Sequence, residues 1–277
     1  MWKNKKPTLL LISIGLYLLV LALVTDGAFL SRGFINWGIW IAITVFFLGP
    51  FIWIWNQRNP SISVKKSLTL LCLSGVILLV NLLLLLSPRL WWFANLHWNW
   101  QGKIISLVAA LVFIQLGFGQ SWDEMGFTLP RPGSWVRIIS IFAGAAVIFA
   151  IGSSENPGGI DLETVLYQAS MPGFEEELIY RGILWVLIAQ ALPGTKKLWD
   201  ANVGWNLIIT TFIFALVHGV TFDNNYSLII SSSNLISTGM AGFVMGWIRA
   251  YSGSILPSVV LHNGINLLAY IVPRLIN

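Results

Sequence analysis

The sequence predicts an all-α fold, a polytopic transmembrane helix bundle of about eight or nine membrane segments. Three observations carry this. The 277 residues are 56% hydrophobic and only 10% charged, with a mean hydropathy of +0.77, where soluble domains carry about 25% charged residues. Apolar runs of bilayer length recur along the chain, and a hydrocarbon core needs roughly 20 apolar residues per helix. The basic residues gather between those runs, where positive charge sets membrane topology.

The runs follow in order. Lys3, Lys5 and Lys6 precede an apolar stretch at 8–25. It is long for a signal-peptide core, and no small-x-small cleavage site follows it, so it reads as an uncleaved first span. Further runs lie at 36–55, 68–86 and 104–119. The longest polar connection comes next, at 119–134, with Trp122-Asp123-Glu124-Met125-Gly126 and Pro130-Arg131-Pro132. It reads as an interfacial loop. A run at 135–152 precedes a weakly apolar stretch at 161–173, expected to form a short amphipathic helix. The last runs are 174–192, 204–220, 228–250 and 254–271. Interior Gly and Ser are tolerated in such helices. No internal repeat or soluble domain interrupts the pattern. Residues 1–134 read as N-terminal spans without interior ionisable groups. Residues 135–277 hold nearly all the intramembrane polar groups and are expected to form the functional bundle.

With the N-terminus inside, Lys3, Lys5, Lys6, Arg58, Lys65, Lys66, Arg131, Arg137, Lys196, Lys197 and Arg249 fall in inner loops. Arg32, Arg89, Lys103 and Arg274 fall outside. The bias favours a cytoplasmic N-terminus. The net charge of +5 is thereby explained without nucleic acid. The 15 tryptophans suit two water interfaces. The lone Cys72 excludes an intrachain disulfide or a cysteine zinc cluster.

Three constellations could carry chemistry. The first is Glu175-Glu176-Glu177 with Arg181. A carboxylate at the centre of a membrane helix costs roughly 2.5–3.5 kcal/mol on insertion scales, so three in a row point to a use. Residues four apart share a helix face, which lets Glu177 pair with Arg181. Glu176 is turned about 100° away, free to face a cavity. Crowded carboxylates perturb one another's ionisation, which is how one becomes a general base near neutrality. The plainer alternative is a solvated helix N-terminus, and Arg181, one turn deeper, argues against it. The second is Phe214-Ala215-Leu216-Val217-His218. A lone histidine at a span end is commonly a structural hydrogen-bonder, but this one falls at the same membrane face as Glu176. The third is His262-Asn263-Gly264-Ile265-Asn266, whose His262 and Asn266 share a face and need partners in hydrocarbon. An interhelical hydrogen-bond pair is its plainer reading. Gly242-x-x-x-Gly246 reads as a helix-packing motif. Asp223-Asn224-Asn225 reads as a loop.

In order, Glu-Glu-x-x-x-Arg, Phe-x-x-x-His and His-x-x-x-Asn lie on separate late spans. At this point the chain resembles the CPBP family of CAAX proteases and bacteriocin-processing (Abi-type) enzymes. The resemblance covers roughly residues 174–266, including the Leu-Ile-Tyr-Arg-Gly-Ile-Leu context. It implies an intramembrane endopeptidase acting on a membrane-proximal or lipid-associated peptide or protein. Glu176 would be the general base and His218 would position the water. His262 and Asn266 would donate to the oxyanion. Glu177, Arg181 and Phe214 would support them structurally. No cofactor is favoured. The alternative is zinc held by Glu176, His218 and His262 with a water, a His₂Glu set, for which such enzymes are often labelled metalloproteases. No His-Glu-x-x-His is present, and Asn266 suits an oxyanion site better than a ligand set. The implied partners are the substrate and the lipid bilayer, with no nucleic acid. The implied location is a prokaryotic plasma membrane, crossed many times. Two other function classes fit intramembrane ionisable residues: a proton- or ion-coupled transporter, and a non-catalytic scaffold binding a partner protein.

Overall fold

A computed structural model describes residues 54, 63–85, 89–116, 121–152, 158–222 and 227–276. The expected spans at 8–25 and 36–55, and the Asp223-Asn224-Asn225 loop, lie outside the described residues. The described parts of the seven later apolar runs fall mainly on helices. α1 is Val64–Leu85, α2 Trp100–Leu116 and α3 Ser134–Gly152. The amphipathic stretch forms α4, Leu162–Gln168. The acidic run is a composite rod: α5 Met171–Glu177, a π-helical segment Leu178–Leu184, and α6 Trp185–Ala191. α7 is Trp205–Gly219, α8 Ser232–Ser252 and α9 Leu256–Ile276. By length and composition, Val64–Leu85 and Leu256–Leu275 are long and apolar enough to cross a membrane. Trp100–Gln115, Ser134–Gly144 and Trp205–Gly219 are shorter apolar helices.

The described residues are mostly helical, in line with the all-α expectation, with two short additions that the sequence did not signal. Two antiparallel hairpins interrupt the helices: β1 Thr195–Leu198 with β2 Ala201–Gly204, and β3 Val220–Phe222 with β4 Leu228–Ile230. The first turns through Trp199 (φ 46°) and Asp200 (φ 69°). Two successive left-handed residues make the turn that matches strand twist. Trp-Asp is not the Asn-Gly signature of such a turn, so the hairpin is silent in the sequence. The second hairpin takes residues 228–230, expected to begin a span.

Sequence-local signals set the helix ends. Asn99 Oδ1 accepts from Gly102 N–H at 3.1 Å, and its Nδ2 donates to Leu85 O at 2.6 Å. One side chain thus caps the start of α2 and ties it to the end of α1. Asp161 caps α4, accepting from Thr164 N–H and Thr164 Oγ1 at 2.8 and 2.6 Å. These bonds hold its carboxyl below the usual carboxylate range. Gly253, at φ 76°, ends α8 in the left-handed conformation that favours glycine.

The composite rod is central. Leu178, Ile183, Leu184, Leu187 and Ile188 are almost wholly buried, as expected of a helix apolar on every side. α1 packs along α6, α2 along α5, α7 beside α8, and α9 against α5 and α3. Ser67 Oγ, near the start of α1, donates to Ala191 O at the end of α6, so the two run antiparallel. The bundle therefore has two ends. One gathers the starts of α1, α3, α7 and α9 with the β1–β2 hairpin. The other gathers the start of α2, α4, the start of α5 and the ends of α7 and α9.

Candidate active site

The site lies near this second end. The 89–99 connection is fastened there: the amides of His97 and Trp98 donate to Glu163 at 3.1 and 3.0 Å, and Trp98 stacks on Tyr167. α5 then enters the bundle through Gly173, whose N–H donates to Asn263 Oδ1 at 2.7 Å. A Cβ on Gly173 would run into that amide. Asn263 thus pins α5 to α9, a role the sequence pattern left unassigned.

The three glutamates point to three different environments. Glu177 and Arg181 are completely buried and bonded at 3.1 Å. Arg181 also donates from Nη2 to Gly242 O at 2.8 Å, and its guanidinium lies 4.6 Å over the Phe214 ring. Phe214 stands edge-on to Tyr180, with ring centroids 5.1 Å apart. It also contacts the His218 and His262 rings, at 4.4 and 6.1 Å. The expected Glu177–Arg181 pair is therefore present, with Phe214 as its apolar cover.

Glu176 faces the two histidines. Its Oε2 is 3.6 Å from His218 Nε2 and 3.8 Å from His262 Nε2. Both separations are too long for direct hydrogen bonds. Oε2 is buried and accepts no hydrogen bond. Each histidine is held by its other nitrogen. His218 Nδ1 lies 2.8 Å from Phe214 O, and His262 Nδ1 lies 2.9 Å from Glu177 Oε1. Both partners are acceptors, so each Nδ1 carries a proton, and each ring turns its Nε2 toward Glu176. Asn266 is partly buried one turn beyond His262 on α9. Glu176, His218 and His262, from α5, α7 and α9, thus converge, with His218, 34% exposed, on the open side.

Helices preceding residue 134 contribute groups that the sequence reading missed. Lys103, in the first turn of α2, is buried and bonds both Glu175 Oε2 and Glu176 Oε1 at 2.6 Å. Glu175 Oε1 accepts from Ser106 Oγ at 2.6 Å and from Asn81 Nδ2. Lys103 was expected in an outer loop as a topology charge. The Asn99 cap starts α2 early enough to carry it inside instead.

Glu176, His218 and His262 offer the donors nearest to a metal set, and their Nδ1 anchors resemble those of metal-bound histidines. Yet among the described residues no group of three His, Cys, Asp or Glu side chains is arranged to hold a metal ion. The Lys103 ammonium on the same carboxylate would also face the cation.

Residues 159–268 match the family described as type II CAAX prenyl endopeptidase Rce1-like. The match holds the three motifs and α4, and it stops short of α1 and α2. No curated protein and no solved structure matches the chain.

Proposed function

We propose, from the premise that residues 159–268 belong to the Rce1-like family of type II CAAX prenyl endopeptidases, that this protein is a membrane-embedded endopeptidase whose nucleophile is a water activated by Glu176. One observation carries the reading. Glu176 Oε2 has no hydrogen-bond donor and shares its surroundings with two imidazole Nε2 atoms at 3.6 and 3.8 Å. Polar atoms separated in this way are suited to bridging by water. A water there donates one proton to Glu176 Oε2 and the other to a histidine Nε2. Its lone pair then points at the substrate carbonyl. Glu176 takes the proton as the C–O bond forms and returns it to the leaving amine as the C–N bond breaks.

The tautomers narrow the oxyanion roles. Neutral His262 has no proton on Nε2, so it donates there only as imidazolium. Asn266 carries amide donors in every state and is the principal oxyanion donor. A single such donor is worth about 2.7–4 kcal/mol where measured. The reaction needs no metal in this scheme. Residues 135–277 supply the reacting groups, and the N-terminal helices wall them in. Substrates are peptides or proteins presented at the membrane, prenylated CAAX sequences among them.

The test is cleavage by purified protein of a quenched fluorescent farnesylated CAAX peptide and of unprenylated membrane-proximal peptides. Wild type is expected to cleave at least one of these, with the rate unchanged by strong chelators. His218→Ala is expected to lose at least 10²-fold in kcat, the usual scale of general acid–base assistance. Chelator-sensitive cleavage would overturn the metal-free scheme. Absence of cleavage across the panel would favour a scaffold or a transporter.

A further inference from the structure

Glu176 can act as described only if one oxygen stays turned to the histidines. A glutamate side chain has three rotatable bonds, and its terminal torsion is broad and nearly two-fold. Something must select which oxygen faces the water. The residues of the matched family segment do not do so: His218 and His262 contact only Oε2, and neither within hydrogen-bond distance. Oε1 is taken by Lys103 Nζ at 2.6 Å, from a helix outside residues 159–268.

A lysine is itself flexible, so a single ammonium–carboxylate contact would fix little. Here the ammonium is held from a second side by Glu175 Oε2, also at 2.6 Å. Glu175 is in turn fixed through Oε1 by Ser106, on the same helix as Lys103, and by Asn81 of α1. Asn81 Nδ2 also reaches Ser106 Oγ at 2.6 Å. The chain of contacts runs from α1 and α2 through Glu175 and Lys103 to the non-reacting oxygen of Glu176. Every member is buried or nearly so. A buried ammonium between two carboxylates is paired as such charges must be.

We infer that Lys103 is a positioning residue for Glu176, anchored by Glu175, Ser106 and Asn81, which clamps Oε1 so that Oε2 alone meets the water. The inference rests on the peptidase reading for its kinetic consequence, but the clamp itself is a property of the folded protein. It also gives the first acid of the triplet a task. Glu175 holds the lysine that holds the base.

The experiment uses the full chain in detergent. With the farnesylated peptide as probe, Lys103→Met is expected to lower kcat at least 30-fold while KM stays within threefold. Lys103→Arg, which keeps a cation in reach, is expected to recover at least a tenfold part of that loss. A Lys103→Met enzyme within threefold of the wild-type kcat would overturn the clamp. Equal losses in the Met and Arg variants would overturn it too, since a merely structural role is not rescued by charge. Should Lys103→Met fail to fold, Ser106→Ala, which removes one anchor of Glu175, is expected to lower kcat three- to tenfold. An unchanged kcat there would count against the proposal. A substrate-free arm separates this from failure of the peptidase reading. The melting-temperature losses of Lys103→Met and Glu176→Leu should be sub-additive in the double variant, because each removes the Lys103–Glu176 contact. For variants too unstable to melt, Ser106→Ala takes the place of Lys103→Met. Strict additivity overturns the clamp even if no peptide is ever cleaved.

Discussion

At the scale of single residues, the decisive feature is how three consecutive carboxylates are told apart. Their helix steps of about 100° send Glu177 to Arg181, Glu176 to the histidines and Glu175 to Lys103. The first of these was legible in the sequence, because a four-residue separation on one rod is fixed by the backbone alone. The histidines were legible as candidates from their motif spacing. Lys103 was not, since its approach to Glu175 spans 72 positions between separate helices, and no local pattern encodes such a meeting. The Glu177–Arg181 pair gives a direct stability prediction. Both side chains have no solvent contact, so removing the guanidinium strands a buried carboxylate. Arg181→Ala is expected to destabilise the fold by about 3–5 kcal/mol, read by thermal or chemical unfolding. His262 remains on Glu177, which places the loss toward the lower end. Wild-type stability in this variant would contradict the pairing.

At the scale of elements, the helices followed from apolar run length, and their ends agreed with the runs to within a few residues. The π-helical segment Leu178–Leu184 was not legible. Its widened turn is a packing outcome, and such segments recur at functional sites. The two hairpins were missed for a different reason: four or three residues per strand are too few for an alternation to register. The small-residue motif on α8 was read as packing, and its surroundings agree. A Cβ on Gly242 would lie 3.1 Å from Phe214 Cδ1 and 3.2 Å from Arg181 Nη2, and one on Gly246 would lie 2.6 Å from Leu207 Cδ1. α7 and α8 therefore meet at close range over the groups that shape the site. Phe214 and Arg181 are both held by several partners and cannot yield easily. Gly242→Val is expected to cost about 1–3 kcal/mol through overpacking and to lower kcat by disturbing Phe214. A variant with unaltered melting temperature and turnover would show that this contact has slack.

At the scale of the whole molecule, charge divides between the two ends. Lys65, Lys66, Arg131, Arg137, Lys196, Lys197 and Arg249 gather at the end that holds the β1–β2 hairpin. Asp200 is paired among them with Arg137 and Lys197, while Asp161 and Glu163 lie with Arg89, Lys103 and Arg274 at the end nearer the site, so the excess of basic residues is at the hairpin end. On the positive-inside rule we propose that the hairpin faces the cytoplasm and that the site opens toward the other side. With Cys72 replaced by Ser, single cysteines at His97 and Lys197, both exposed, are expected to react with an impermeant maleimide from opposite faces of oriented vesicles. Labelling of both from one face would contradict the two-ended arrangement.

The bundle, its charge asymmetry and its second-half motifs together place one carboxylate oxygen, free of donors, before two imidazole Nε2 atoms. That oxygen is the centre of the proposed chemistry, and Glu176→Gln replaces the base while keeping the side chain's shape. The measurement is kcat of this variant on whichever peptide the wild type cleaves, with folding checked by its melting temperature. A folded variant with kcat reduced at least 10³-fold is the expected result. A folded variant that retains more than a tenth of wild-type turnover would refute Glu176 as the base.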